Sequence, residues 1–127
     1  DMGVVEMCVD LAANEELVEV LPQGPAVGAC GVAFLIDGDA RAGPLATEHG
    51  AVKAVASILA NDKVEGYGYV IGTAVFLCAS VPETAAAFSE TTAEESALKL
   101  VADHESEEVK GHAALFLQQL HSLAPAD

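Results

Sequence analysis

The run Val75-Phe76-Leu77, within the longest apolar stretch of this chain, has a counterpart on each side. Val32-Ala33-Phe34-Leu35 precedes it and Leu115-Phe116-Leu117 follows it, and the phenylalanines are 42 and 40 positions apart. Glycine, alanine or threonine residues precede each run. A spacing of about 40 residues is typical of stacked helical hairpins or triplets. The recurrence therefore predicts copies of one helical unit, with the three phenylalanines in equivalent places.

A second pair of segments has the same spacing. Residues 54–62 are similar to residues 96–103, and Leu59 and Val101 are also 42 positions apart. Apolar residues recur in each segment at the spacing of one helix face. These are Val52, Val55, Ile58 and Leu59 in the first, and Ala97, Leu98, Val101 and Ala102 in the second. Each set is predicted to form the buried face of a helix.

Capping signals and glycines divide the chain into predicted helices. Thr92 followed by Glu95 predicts a capping box, and Ser106 before two glutamates predicts the start of the last helix. Residues 67–71 are locally typical of a strand, but a lone strand among helices would lack partners, so a helix is favoured. The predicted helices are 2–13, 15–21, 25–37, 44–49, 51–61, 65–80, 82–89, 92–103 and 106–122.

Residues 44–62 and 65–80 together resemble one unit of the armadillo family and, less specifically, of its HEAT relatives. The shared pattern is a short helix, a glycine, a second aliphatic helix, a turn with Asn or Asp, and a long third helix. Residues 82–120 resemble another copy, and residues 1–37 resemble a partial one. The resemblance implies an all-α fold, a right-handed superhelical stack of about three armadillo-like repeats, in a single domain spanning residues 1–127.

The chain departs from the peptide-binding members of that family at one set of positions. Those proteins carry an asparagine ladder on the inner face of the third helix. The positions aligned by the Phe-Leu pairs hold Asp37, Ala79 and Gln119 here, so the asparagine ladder is missing.

Composition excludes several classes of partner. Five basic and twenty acidic residues among 127 give a net charge of −15, which disfavours binding to nucleic acid. No run of about 18 uncharged apolar residues occurs, so membrane insertion is not predicted. The three cysteines are odd in number, widely spaced and in apolar surroundings, which favours reduced core thiols and a cytoplasmic location. The first residue is Asp rather than Met, which suggests a portion of a longer chain.

Motifs for catalysis are weak. His104, Glu108 and His112 offer helical four-residue spacings for a metal, and Asp37 and Asp39 beside Arg41 could form an acid–base pair. No phosphate-binding loop or nucleophile elbow occurs. We therefore predict no enzyme activity and no cofactor, with a helical metal protein or enzyme as a minor alternative.

The predicted function is a non-catalytic scaffold that binds a protein partner, basic in character, through an acidic face of the helical stack. The candidate partner-binding residues are Asp37, Glu65, Tyr69, Glu108 and Gln119. An acidic surface that serves only solubility is an equal alternative. Residues 107–120 also resemble the final repeats of armadillo-type nucleotide-exchange factors, which implies a cochaperone module as the second hypothesis. Residues 1–37, if truncated, would leave an uncovered apolar end, and either another subunit of a larger assembly or more of the same chain would cover it.

Overall fold

A computed structural model describes residues 3–14, 16–39, 41–61 and 66–123, the last without its side chain, and within these residues the fold is helical with no strand. The helices are α1 (Gly3–Ala12), α2 (Leu17–Val20), α3 (Gly24–Gly38), α4 (Ala42–Glu48), α5 (Ala51–Ala60), α6 (Tyr67–Ser80), α7 (Glu83–Ser89), α8 (Ala93–Asp103) and α9 (Glu107–Leu123). Each lies within two residues of a predicted helix at both ends. The all-α prediction is confirmed, and the strand-like residues 67–71 are helical.

The joins between helices follow the local sequence in part. Gly50 adopts a φ of 98°, a left-handed conformation that suits glycine, between α4 and α5. Ser106 accepts a hydrogen bond from the Val109 N–H at 3.3 Å, so the predicted start of α9 is confirmed. The predicted capping box at Thr92 is wrong, because the Thr92 side chain makes no capping hydrogen bond. Its neighbour Thr91 accepts from the Ala93 N–H instead and donates to the Phe88 carbonyl.

The long helices α3, α6 and α9 contact one another in chain order. α3 packs against α1 on one side and α6 on the other, and α6 packs in turn against α9. The contact between α1 and α3 is close, because a Cβ at Gly28 would lie 2.6 Å from the Ala12 backbone nitrogen and 2.7 Å from the Cys8 carbonyl oxygen. The buried apolar residues of α1, α3, α5, α6, α8 and α9 form one cluster.

The buried faces of α5 and α8 differ. Val52, Val55, Ile58 and Leu59 of α5 are buried as predicted. Of the face predicted for α8, only Ala97 is buried, and Leu98, Val101 and Ala102 are exposed. The reason is position: α5 packs against both α1 and α8, whereas among the described helices α8 contacts α5, α7 and α9 and has no further unit beyond it.

The three phenylalanines are not equivalent in burial, so that prediction is wrong. Phe34 is 73% exposed and Phe76 is 37% exposed, whereas Phe116 is fully buried. The Phe116 ring packs edge-to-face on Phe88, with centroids 5.1 Å apart. The helix order is consistent with an armadillo-like stack, but the superhelical arrangement stays a prediction.

Within the described residues, no helix combines the length and apolar character needed to cross a bilayer.

Candidate functional site

The burial pattern of α6 repeats that of α3 at a spacing of 42 residues. The buried positions Gly28, Ala29, Val32 and Ile36 correspond to Val70, Ile71, Ala74 and Cys78. The exposed positions correspond as well: Val27 to Tyr69, and Phe34 to Phe76. These two helices therefore present the same side to the core and the same side to solvent.

Helix α9 follows the same pattern at a spacing of 39 rather than 40. Val109, Ala113 and Phe116 are buried where α6 has Val70, Ala74 and Leu77. Leu115, which is 43% exposed, therefore corresponds to Phe76. One residue rotates a side chain by about 100° around a helix axis, which explains why Phe116 faces the core. The exposed set Phe34, Phe76 and Leu115, one residue from each long helix, is called the apolar row below.

The apolar row lines a groove of about 440 Å³ on the exposed side of α3, α6 and α9. Cys30 and Gly72, each one helical turn before a phenylalanine of the row, also line the groove, so small residues form part of its floor. A Cβ added at Gly72 would meet no atom within 4 Å. Large apolar side chains thus stand beside open space, an arrangement that allows close approach by another apolar surface.

Two hydrogen bonds connect the three helices beneath the groove. The Thr73 hydroxyl lies 2.8 Å from the carbonyl oxygens of Ala29 in α3 and Tyr69 in α6. The Gln119 side-chain amide donates to the Val75 carbonyl at 3.1 Å and so links α9 to α6. The other polar atom of the Gln119 side chain, Oε1, is buried without a hydrogen-bond partner among the described residues. The groove itself is lined mainly by apolar atoms.

The candidate partner-binding residues are placed unequally. Asp37 and Tyr69 line the groove, and Tyr69 is 62% exposed. Glu108 is exposed on the first turn of α9 without lining the groove. Gln119 is half-buried and bonded to α6, and Glu65 lies outside the described residues. The structure thus brings two of the five together, while a binding role for each stays a prediction.

The spacing of 39 also changes which residue of α9 is equivalent to the asparagine ladder. Ala79 of α6 corresponds to Gln118, which is exposed, and not to Gln119 as the sequence alignment predicted. His112 lies on the groove side of α9, and its Nδ1 atom is buried without a hydrogen-bond partner among the described residues.

The carboxylates beside Arg41 form a turn rather than an acid–base pair. Arg41 donates from Nη2 to Asp39 at 2.7 Å, from Nε to both carboxylate oxygens, and from its backbone N–H. The side-chain hydrogen bonds, followed by the backbone one, lower the pKa of Asp39 to about 2. A carboxyl group with so low a pKa is ionised near neutral pH and is a poor general acid.

The histidines proposed for a metal have other surroundings. The Nδ1 atom of His104 accepts from the Ser106 N–H at 3.0 Å, and the ring stacks edge-on with Tyr67. Within the part of the chain that the structure describes, no three His, Cys, Asp or Glu side chains group closely enough for a metal. Cys8, Cys30 and Cys78 are unpaired.

Phe34, Phe76 and Leu115 were not among the predicted binding residues, because the recurrence of their runs predicts only that the three phenylalanines are equivalent and does not indicate which side of the helix they occupy. The sequence did contain one indication of this, in the run Leu115-Phe116-Leu117. Phe76 can be aligned with Leu115 at a spacing of 39 residues or with Phe116 at a spacing of 40, and both residues are large and apolar.

Comparisons of this chain with protein-family models, with curated proteins and with solved structures give no match. The groove must therefore be interpreted from its own geometry.

Proposed function

We propose that this chain is a non-catalytic protein-interaction module of the armadillo-like kind, which binds a basic protein segment on the groove side of α3, α6 and α9. One observation carries the proposal: the apolar row exposes a large apolar side chain at the same place on three consecutive long helices. The burial pattern that recurs between α3, α6 and α9 supports the armadillo-like stack.

The charge of the chain supports a basic partner. Asp37 lines the groove, and no lysine or arginine is among the described residues that do so. The net charge of −15 adds a long-range field that accelerates association with a cationic segment. The apolar row would supply affinity, since large apolar side chains dominate binding energy, and the acidic field would supply orientation. A cytoplasmic location is part of the proposal and is supported by the three unpaired cysteines.

Selection from a displayed library of random peptides tests this function. The wild-type chain is the target, and a double variant, Phe34→Ser with Phe76→Ser, serves for counter-selection. Leu98→Ser is the matched control, because Leu98 is an exposed apolar residue outside the groove. We expect enrichment of peptides that combine lysine or arginine with apolar residues, and retention of their binding by the control. Enrichment of acidic peptides, or binding that survives the double substitution, would refute the proposal.

A further inference from the structure

The groove offers few polar groups to the backbone of a ligand, because its lining is mainly apolar. Its polar lining among the described residues consists of Asp37, Tyr69, Thr73 and His112, and the single hydroxyl proton of Thr73 is already shared between the Ala29 and Tyr69 carbonyls. The positions of the asparagine ladder hold Asp37, Ala79 and Gln118 along the three long helices, and among the described residues only Asp37 of these lines the groove. An extended segment on this floor would leave backbone N–H and C=O groups without partners, which is costly once water is excluded.

A helix avoids that cost, because its backbone groups are bonded to one another. We infer that the occupant of the groove is a basic amphipathic helix that crosses α3, α6 and α9 and packs its apolar stripe on Phe34, Phe76 and Leu115. This inference rests on the proposed function and specifies its ligand.

The dimensions agree with a crossing helix. Packed helices are about 8–10 Å apart, so the apolar row extends over roughly 20 Å. Residues at i, i+7 and i+14 of a helix lie on nearly one side and span about 21 Å. A segment in the polyproline conformation can match the same spacing, because every third residue lies on one side at intervals of about 9 Å, so it is the scarcity of backbone partners that favours the helix. The small residues Cys30 and Gly72, one helical turn before Phe34 and Phe76, leave room for the apolar stripe.

Charge selects the kind of helix. The groove contains the carboxylate of Asp37, and Glu108 is exposed on the adjoining turn of α9. A second copy of this chain would bring another net charge of −15 against the first, which opposes self-association through this face. Lysine or arginine beside the apolar stripe of the partner would instead be attracted.

The test uses the full chain and four synthetic peptides of equal length, about 18 residues, long enough for i, i+7 and i+14. The first peptide has apolar residues at i, i+7 and i+14 and at the intervening i+3 and i+4 positions, which together form one apolar stripe, and it has lysines at its other positions. The second has the same apolar residues with two central prolines, which prevent a helix. The third replaces the lysines by glutamates, and the fourth permutes the first so that the stripe is lost. Binding is measured by fluorescence anisotropy at low and high salt, and peptide helicity by circular dichroism.

We expect the first peptide to bind and to gain helicity, with at least about tenfold weaker binding of the other three, the factor that loss of one strong contact gives. Phe76→Ala and Gly72→Leu should each weaken its binding by about tenfold or more, the second by filling the floor of the groove. Leu98→Ala should change nothing, and thermal melting must show that every variant is folded. Asp37→Asn should weaken binding mainly at low salt.

The outcomes separate the two proposals. Equal binding of the proline peptide, with sensitivity to Phe76→Ala, would overturn the helical ligand and leave the protein-binding function intact. Absence of binding by all four peptides, together with failure of the library selection, would refute both. Light scattering that shows a dimer in the wild type but a monomer in Phe34→Ser would also overturn the inference, because the occupant would then be a second copy.

Discussion

Phe76 and Phe116 occupy the tenth position of their helices and stand in nearly the same tripeptide, yet their surroundings are opposite. Phe116 is fully buried against Phe88, while Phe76 faces the groove. Their buried and exposed roles are exchanged with the neighbouring leucines, because Leu77 is buried and Leu115 is exposed. Each long helix therefore has a core side and a groove side, and adjacent residues of similar hydropathy have different roles on the two sides.

The largest expected effect is on the core side. Phe116→Ala should reduce the free energy of unfolding by about 3–5 kcal/mol, because it leaves a cavity beside Phe88. Phe76→Ala should cost less, about 1–2 kcal/mol, since that ring is 37% exposed and is not part of the buried cluster. Urea unfolding followed by circular dichroism measures both. Similar losses for the two variants would remove the distinction between the two sides.

Glycines on the two sides should respond with opposite signs. Gly28→Ala should destabilise the protein by about 1–3 kcal/mol, because its Cβ would collide with the α1 backbone at Ala12 and Cys8. Gly72→Ala should stabilise it by about 0.5–1 kcal/mol, since the added Cβ meets nothing and alanine favours a helix interior. Thermal and denaturant unfolding of the pair provide the check. A gain in stability for Gly28→Ala would contradict the close packing of α1 on α3.

A smaller effect is expected at the hydrogen bond that joins the long helices. Thr73→Val keeps the shape of the side chain but removes the donor to the Ala29 carbonyl, and should cost about 1 kcal/mol. Thr73→Ser retains the hydroxyl and serves as the control for that bond. Hydrogen exchange of the α3 and α6 amides should accelerate in the valine variant. Unchanged stability of that variant would mean that the bond contributes little to joining the two helices.

The smallest effect concerns charge at the end of α3. Arg41 lowers the pKa of Asp39 to about 2 from an ordinary value of 3.8, so the folded state favours the ionised form. The resulting stabilisation is present above the ordinary pKa and is lost as the pH falls through about 2. Carboxyl NMR titration of Asp39 in the wild type and in Arg41→Gln tests this, and the variant should titrate closer to 3.8. If the pKa of Asp39 stays near 2 in Arg41→Gln, a group other than Arg41 lowers it.

Most of the helix positions could be predicted from the sequence, whereas the apolar row of the candidate site could not. Gly50 and Ser106 mark helix boundaries through their own conformational preferences and hydrogen bonds, which act over a few residues. Asp37 and Tyr69 were predicted as surface residues and do line the groove. The apolar row was missed because a large apolar residue in a helix is compatible with the core until the neighbours of that helix are known.

The position and length of each described helix could be predicted from the amino-acid sequence to within two residues, because hydrophobic periodicity and turn residues act locally along the chain. Which side of each helix is covered depends on the packing of the helices against one another. The shift of one residue in α9 buries Phe116 and exposes Leu115, and the lack of a described neighbour beyond α8 exposes Leu98 and Val101. The physical reason is that one residue corresponds to about 100° of rotation, so burial depends on how the helices contact one another and not on the identity of the residue alone.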